Sequence, residues 1–219
     1  MPSAPDSPAP ESPVAESPVP AGTAAVILAA GGSRRLGRPK QLLPYGGGVL
    51  LDAVLATARR CSFAQTVLAL GGSAEEVLRA VDTSGCEVAL NPDYGEGCSS
   101  SIAAAMALLR PDTGAVVLLL GDQPGVRAGN VAPLVRALAG PGGPGAAMCR
   151  YDDGIGHPLA FSRRLLPDLA SLHGDKAVWK LLDQRSDDVV EVWTPGPVPL
   201  DVDTEEDYRR VLAELQGAG

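Results

Sequence analysis

The sequence predicts an α/β fold of three layers, with helices on both faces of a mostly parallel sheet. Three observations predict it. From Ala24 onward, short apolar runs of strand length alternate with segments of helical spacing. Several of those runs, Ala115 to Leu120 (AVVLLL) above all, are apolar throughout, the pattern of a strand covered on both faces. A glycine-rich basic turn follows the first run, where sheets of this kind bind ligands.

The elements follow in order. Residues 1 to 22 are Pro, Ser, Ala and Glu with almost no large apolar side chain, and are expected to be a disordered tail ahead of one domain over 23–217. Ala24 to Ala30 reads as a strand and Val49 to Cys61 as a helix. Thr66 to Leu70 is a second strand ended by Gly71-Gly72; Ser73 caps a helix over Ala74 to Val81, with Glu75 and Glu76 in its first turn. Glu87 to Leu90 is a short strand and Cys98 to Leu109 an alanine-rich helix. Ala115 to Leu120 is a strand, Asn130 to Ala139 a helix, and Ala146 to Arg150 and Pro158 to Phe161 are strands. Helices are expected over Arg163 to Leu169 and Lys176 to Leu182, a strand over Val189 to Trp193, and a closing helix over Glu205 to Leu215. Gly140 to Gly145 (GPGGPG) is a surface loop, and no internal repeat is visible.

Composition narrows the function. The 219 residues are 45% hydrophobic and 20% charged with a net charge of −8, which disfavours a nucleic-acid partner. No apolar run reaches the roughly 18–20 residues of a membrane span. The N-terminus lacks a basic start followed by an apolar stretch, so no secretory signal is expected. Cys61, Cys86, Cys98 and Cys149 are scattered and read as buried thiols of a reducing cytoplasm, with Cys98 in a site loop.

The basic turn, AAVILAAGGSRRLGRPK over Ala24 to Lys40, has the chemistry of a polyphosphate seat. Glycines let backbone N–H groups approach an anion, and cationic side chains neutralise its charge. Its spacing is neither the G-x-G-x-x-G of dinucleotide enzymes nor a complete P-loop, since Arg38 follows Gly37. A second place for chemistry is Asp122 in GDQP, a carboxylate at the end of a buried strand that suits a hard divalent cation. Gln123 and Pro124 shape that turn. A third is LDVDTEEDY, where Thr204 to Asp207 reads as a helix cap.

The stretch Leu28 to Lys40 fills every fixed position of L-A-A-G-x-S-x-R-x-G-x-P-K, and so resembles the signature of MobA-like nucleotidyltransferases. GDQP, NPDYGEGCSSSI over Asn91 to Ile102 and Gly156-His157-Pro158 extend the resemblance, which is closest to molybdenum cofactor cytidylyltransferases. It implies a Rossmann-like, glycosyltransferase-A-like nucleotidyltransferase fold and transfer of CMP from CTP to a molybdopterin phosphate. It also implies Mg²⁺ as cofactor, with CTP or GTP as donor and a molybdenum hydroxylase as possible partner. The nucleotide residues are then Leu28, Ala29, Ala30, Gly31, Gly32, Ser33, Lys40, Gly97 and Ser101, and the metal ligands Asp122 and Asp203, with Asp201 a weaker match. Lys40 and Arg35 act as electrostatic catalysts, while Arg34 and Arg38 are solvated surface charge. Gly156, His157 and Asp175 fall on the acceptor side. The sequence departs from the family's G-D-x-G-A-R at Ala177 and Trp179, and His173 reads as an exposed helix-end residue. Three readings stay open beside this one: another phosphorylated acceptor, an NAD(P)H-dependent reductase of nicotine-derived pigments, and a non-catalytic accessory protein.

Overall fold

The computed structural model describes residues 18–174 and 176–217. Its centre is a seven-stranded sheet in the order β5-β4-β1-β6-β8-β7-β9. The strands are β1 (Thr23–Ala29), β4 (Gln65–Leu70), β5 (Glu87–Leu90), β6 (Ala115–Leu120), β7 (Ala146–Arg150), β8 (Ile155–Ser162) and β9 (Val189–Trp193). β1, β4, β5 and β6 pair in parallel, as their apolar runs predict. β8 is the exception, antiparallel to both β6 and β7. The turn between β7 and β8 is too short for a crossover, so the chain must reverse there.

Side chains alternate across the sheet and give it two cores. Ile27, Leu68, Leu70 and Leu119 face α1 (Leu50–Cys61), α2 (Ala74–Ala80) and α4 (Val131–Ala137). Val26, Val67, Leu118, Leu159 and Phe161 face α3 (Cys98–Met106), α5 (Leu166–Ala170) and α6 (Ala177–Gln184). The third core is smaller. α7 (Glu205–Gly217) sets Tyr208 and Val211 against Leu43, Leu50 and Val202. Tyr208 also donates its hydroxyl to the Pro44 carbonyl at 2.6 Å. That carbonyl belongs to a hairpin not expected from the sequence, β2 (Pro44–Tyr45) and β3 (Gly48–Val49). Gly46 and Gly47 turn it with φ of 58° and 85°, the left-handed pair that a two-residue hairpin requires.

Helix ends differ modestly from expectation. α3 stops at Met106, and the turns before α4 and α5 are 3-10. Ser73 precedes α2 without a side-chain cap bond. Thr204 and Asp207 do form the expected cap, with the Asp207 carboxylate accepting from the Thr204 N–H at 2.8 Å. Residues 1–17 of the expected tail lie outside the described residues, whereas Val19 packs against the first core. No helix among the described residues is long and apolar enough to cross a membrane.

Chain order reverses at β1. From there the chain runs outward through β4 and β5, then returns to place β6 on the other side of β1. Such a switch leaves a crevice above the carboxyl ends of the two strands. Gly121 sets how closely they approach, donating its N–H to the Leu28 carbonyl at 2.9 Å. A Cβ at Gly121 would fall 2.7 Å from the Ala29 Cβ. Gly121→Ala is therefore expected to cost about 1–3 kcal/mol in urea unfolding, through overpacking of this junction.

Candidate active site

Three segments distant in sequence meet above β1 and β6. They are the loop after β1, the turn after β6, and the stretch before α7. The β1 loop turns on Ser33, whose φ is 48°, and its carbonyl accepts the N–H groups of Leu36 and Gly37, both at 3.1 Å. The Ser33 hydroxyl accepts the Lys40 N–H at 2.9 Å, fixing where the lysine leaves the loop. Gln41, 2% exposed, donates Nε2 to the Ala29 carbonyl at 2.6 Å and holds the loop to the strand end.

Lys40 then reaches inward. Its Nζ pairs with Asp122 Oδ2, and with Asp203 Oδ1 at 2.8 Å. The lysine side chain is 13% exposed and that of Asp122 14%. Burial opposes the ammonium charge, but the two carboxylates outweigh it and hold the lysine above its ordinary pKa. The Lys40 hydrogen bond in turn holds Asp203 below the ordinary carboxylate range. Arg35 adds a 2.6 Å contact to Asp203 from the solvent side. Arg38 is exposed as expected, but it is ion-paired to Glu205 at 2.7 Å.

The C-terminal stretch is pinned by its apolar residue. Val202 is fully buried in the third core, and its N–H donates to the Asp122 carbonyl at 3.2 Å. Asp201 and Asp203, on either side of it, both line the cavity. Loss of solvation, reinforced by the Asp122 charge, pushes the Asp201 carboxyl up to about 6.

The cavity has a volume of about 400 Å³. Leu28, Ala29, Ala30 and Gly31 form one wall, Gly97, Cys98 and Ser101 another, and Lys40, Asp122 and Asp203 its charged end. A second cavity, of about 360 Å³, opens over Gly31, Gly32, Ser33, Arg34 and Arg35, and shares Lys40, Gly97 and Asp203 with the first. All the nucleotide, metal and catalytic residues expected from the sequence thus border one or both. Ser101 is 5% exposed, and its hydroxyl accepts from Asn91 Nδ2 at 2.9 Å, so it also anchors the loop before α3.

The acceptor residues are placed differently. Gly156 and His157 line neither cavity. They sit on β8 beyond the pair Leu118–Leu159, at the same sheet edge as the carboxyl end of β6. Gly156 has a packing reason: a Cβ there would lie 2.9 Å from Val198 Cγ1. The half-buried His157 meets Trp179 edge-on, with ring centroids 5.6 Å apart, and Tyr151 donates its hydroxyl to the His157 carbonyl at 2.6 Å. Asp175 lies outside the described residues. The cysteine expectation holds for Cys61 and Cys149, whereas Cys98 is exposed at the start of α3 and Cys86 only partly covered. Tyr94, on the turn ahead of α3, borders both cavities and was not singled out from the sequence. Glycine pairs on neighbouring loops are the signal for it, since they leave room for a ring.

The donor set suits a hard divalent cation. Two carboxylates converge on one point, and Mg²⁺ or Mn²⁺ takes one or two carboxylates with phosphate and water completing the shell. No group of three His, Cys, Asp or Glu side chains among the described residues is placed to hold a metal ion.

Burial pushes the His157 imidazole down to about 4. The unfolded chain therefore takes up a proton near pH 6.5 that the folded chain refuses. The stability this residue contributes is full above about pH 6.5 and is lost as pH falls toward about 4. Thermal melts across that range are expected to show the loss in the wild type and a shallower one in His157→Asn.

Comparison with known proteins agrees with this geometry. The model of the MobA-like NTP transferase domain matches residues 25–189. The chain is 31% identical over 195 residues to nicotine blue oxidoreductase of Paenarthrobacter nicotinovorans, covering 85% of this chain and 95% of that protein. The crystal structure of an Rv0371c homolog from Mycobacterium sp. strain JC1 superposes with a TM-score of 0.85 at 47% identity, covering 90% of this chain and 98% of that one. Rv0371c of Mycobacterium tuberculosis H37Rv in complex with manganese does so with a TM-score of 0.77 at 43% identity, covering 87% and 98%. A glycine-rich basic loop faces a carboxylate pair across a cavity, and the chain belongs to the MobA-like NTP transferase family as an enzyme of the nucleotidyltransferase type.

Proposed function

We propose that this chain transfers CMP from CTP to the phosphate of molybdopterin or molybdenum cofactor, in the cytoplasm and with Mg²⁺, releasing pyrophosphate. The observation that carries the reading is the Lys40 ammonium held between Asp122 and Asp203 at the meeting of the two cavities. The backbone of Gly31 and Gly32 and the side chain of Arg35 border the cavity that takes the triphosphate. An acceptor phosphate oxygen attacks the α-phosphorus, the bond to the bridging oxygen breaks, and pyrophosphate leaves. Lys40 and Arg35 neutralise the negative charge that grows on the transferred and departing groups. Asp122 and Asp203 hold the divalent cation, which supplies Lewis-acid stabilisation of the same charge. The manganese complex of Rv0371c supports that role. The molybdopterin acceptor rests on the resemblance of Gly156-His157-Pro158 to cytidylyltransferases, and on its place at the same sheet edge. A molybdenum hydroxylase would receive the product.

The similarity to nicotine blue oxidoreductase favours a second reading, reduction of a pigment by NAD(P)H. The first loop lacks the dinucleotide spacing, which weighs against it. Incubation with labelled CTP or GTP, Mg²⁺ and molybdenum cofactor separates the readings, because only transfer releases pyrophosphate. Oxidation of NADPH without pyrophosphate release would favour the reductase. Release with a different phosphorylated acceptor, and none with molybdenum cofactor, would change the acceptor alone. Asp122→Asn is expected to abolish turnover with an unchanged circular dichroism spectrum. Lys40→Ala is expected to lower kcat by about 10²–10³.

A further inference from the structure

Gln41 follows Lys40 in the short turn that closes the basic loop, and its side chain is buried against that loop. Nε2 donates to two carbonyls there, Ala29 at 2.6 Å and Gly31 at 3.3 Å. Turning the amide over would set its oxygen against the same two carbonyl oxygens, so the contacts fix which end is the nitrogen. The other end, Oε1, is buried with no partner among the described residues. An unpaired buried amide oxygen opposes folding, and an apolar side chain of the same size would avoid that cost. Core packing therefore does not account for an amide at this place, whereas its nitrogen, holding the loop from below, does.

A peptide group is planar and trans, so a held Gly31 carbonyl sends the Gly32 N–H to the opposite side. Among the described residues, no carbonyl accepts from the N–H of Gly31, Gly32 or Ser33. All three residues line the second cavity beside Arg34 and Arg35, and Gln41 does not. We infer that Gln41 is a positioning residue: it fixes the loop's carbonyls on the buried side and so keeps the unused N–H groups of Gly31 to Ser33 turned toward the second cavity, as a seat for the outer phosphates of the nucleotide. This rests on the nucleotide-binding reading above. Gln41 acts through the peptide groups, which bind an anion best when they are aimed before it arrives.

Calorimetric titration with the mono-, di- and triphosphates of cytidine and guanosine, each with Mg²⁺, tests the inference on the wild type, Gln41→Met and Gln41→Glu, with thermal melts confirming that each variant folds. Methionine keeps the length of the side chain without a donor, and glutamate keeps its shape without one. In the wild type, affinity is expected to rise from the monophosphate to the triphosphate of the preferred base. In Gln41→Met that rise is expected to shrink by about tenfold or more, while monophosphate binding stays within about threefold of the wild type. A role confined to packing lowers the melting temperature and leaves the rise unchanged. If Gln41→Met fails to fold, Gln41→Glu takes its place with the same expectation. A variant with the wild-type rise, a variant that loses mono- and triphosphate equally, or a wild type with no rise overturns the role of Gln41 while the nucleotide reading stands. A wild type that binds none of these nucleotides overturns both.

Discussion

An ammonium group withdrawn from water must keep its counter-charges, and the architecture of this site follows from meeting that demand at Lys40. Its carboxylate partners come from the turn after β6 and from the stretch before α7. Separating a buried pair leaves one charge uncompensated, which costs far more than the intact pair contributes. The three segments are therefore bound to one another, although they are far apart in sequence. A phosphate can release the arrangement by offering Lys40 and Arg35 an alternative anion, freeing Asp203 for a cation. On the proposed reading, the resting network is the same set of charges that catalysis would use.

The fold supplies the precision this needs. β1 and β6 are adjacent and parallel, so the ends of both strands rise to the same level. Gly121 lets the Asp122 turn sit directly against Leu28 and Ala29. On the other side, the third core fixes Val202, and Asp201 and Asp203 inherit their positions from that buried residue. A small hydrophobic cluster under α7 thereby sets the geometry of carboxylates that line the cavity.

Much of this was legible in the sequence, and what was not has physical causes. The strands buried on both faces announce themselves as unbroken apolar runs, and the basic turn after β1 as glycines followed by cations. The reversed direction of β8 was not read, although a short connection after β7 implies it. The Gly46-Gly47 hairpin was missed because β2 and β3 are two residues each and carry no alternation. Asp203 was recognisable from its motif, but its bond to Lys40 spans 163 positions and no local pattern encodes it. Tyr94 escaped notice because the glycines that seat it lie on separate loops, where each pair simply ends a strand. His157 reads as an acceptor residue from Gly-His-Pro, and the fold places it at the edge where β6 ends but outside the cavities, against Trp179.

The central claim is that the phosphates of a nucleoside triphosphate and a divalent cation take over the contacts Lys40, Asp122 and Asp203 now make with one another. A crystal structure with CTP and Mn²⁺, with the manganese located by its anomalous signal, tests it most directly. The account predicts the triphosphate along Gly31 to Arg35 and the manganese on Asp122. Nucleotide bound elsewhere on the molecule, with Lys40 still seated between the two carboxylates, would contradict it.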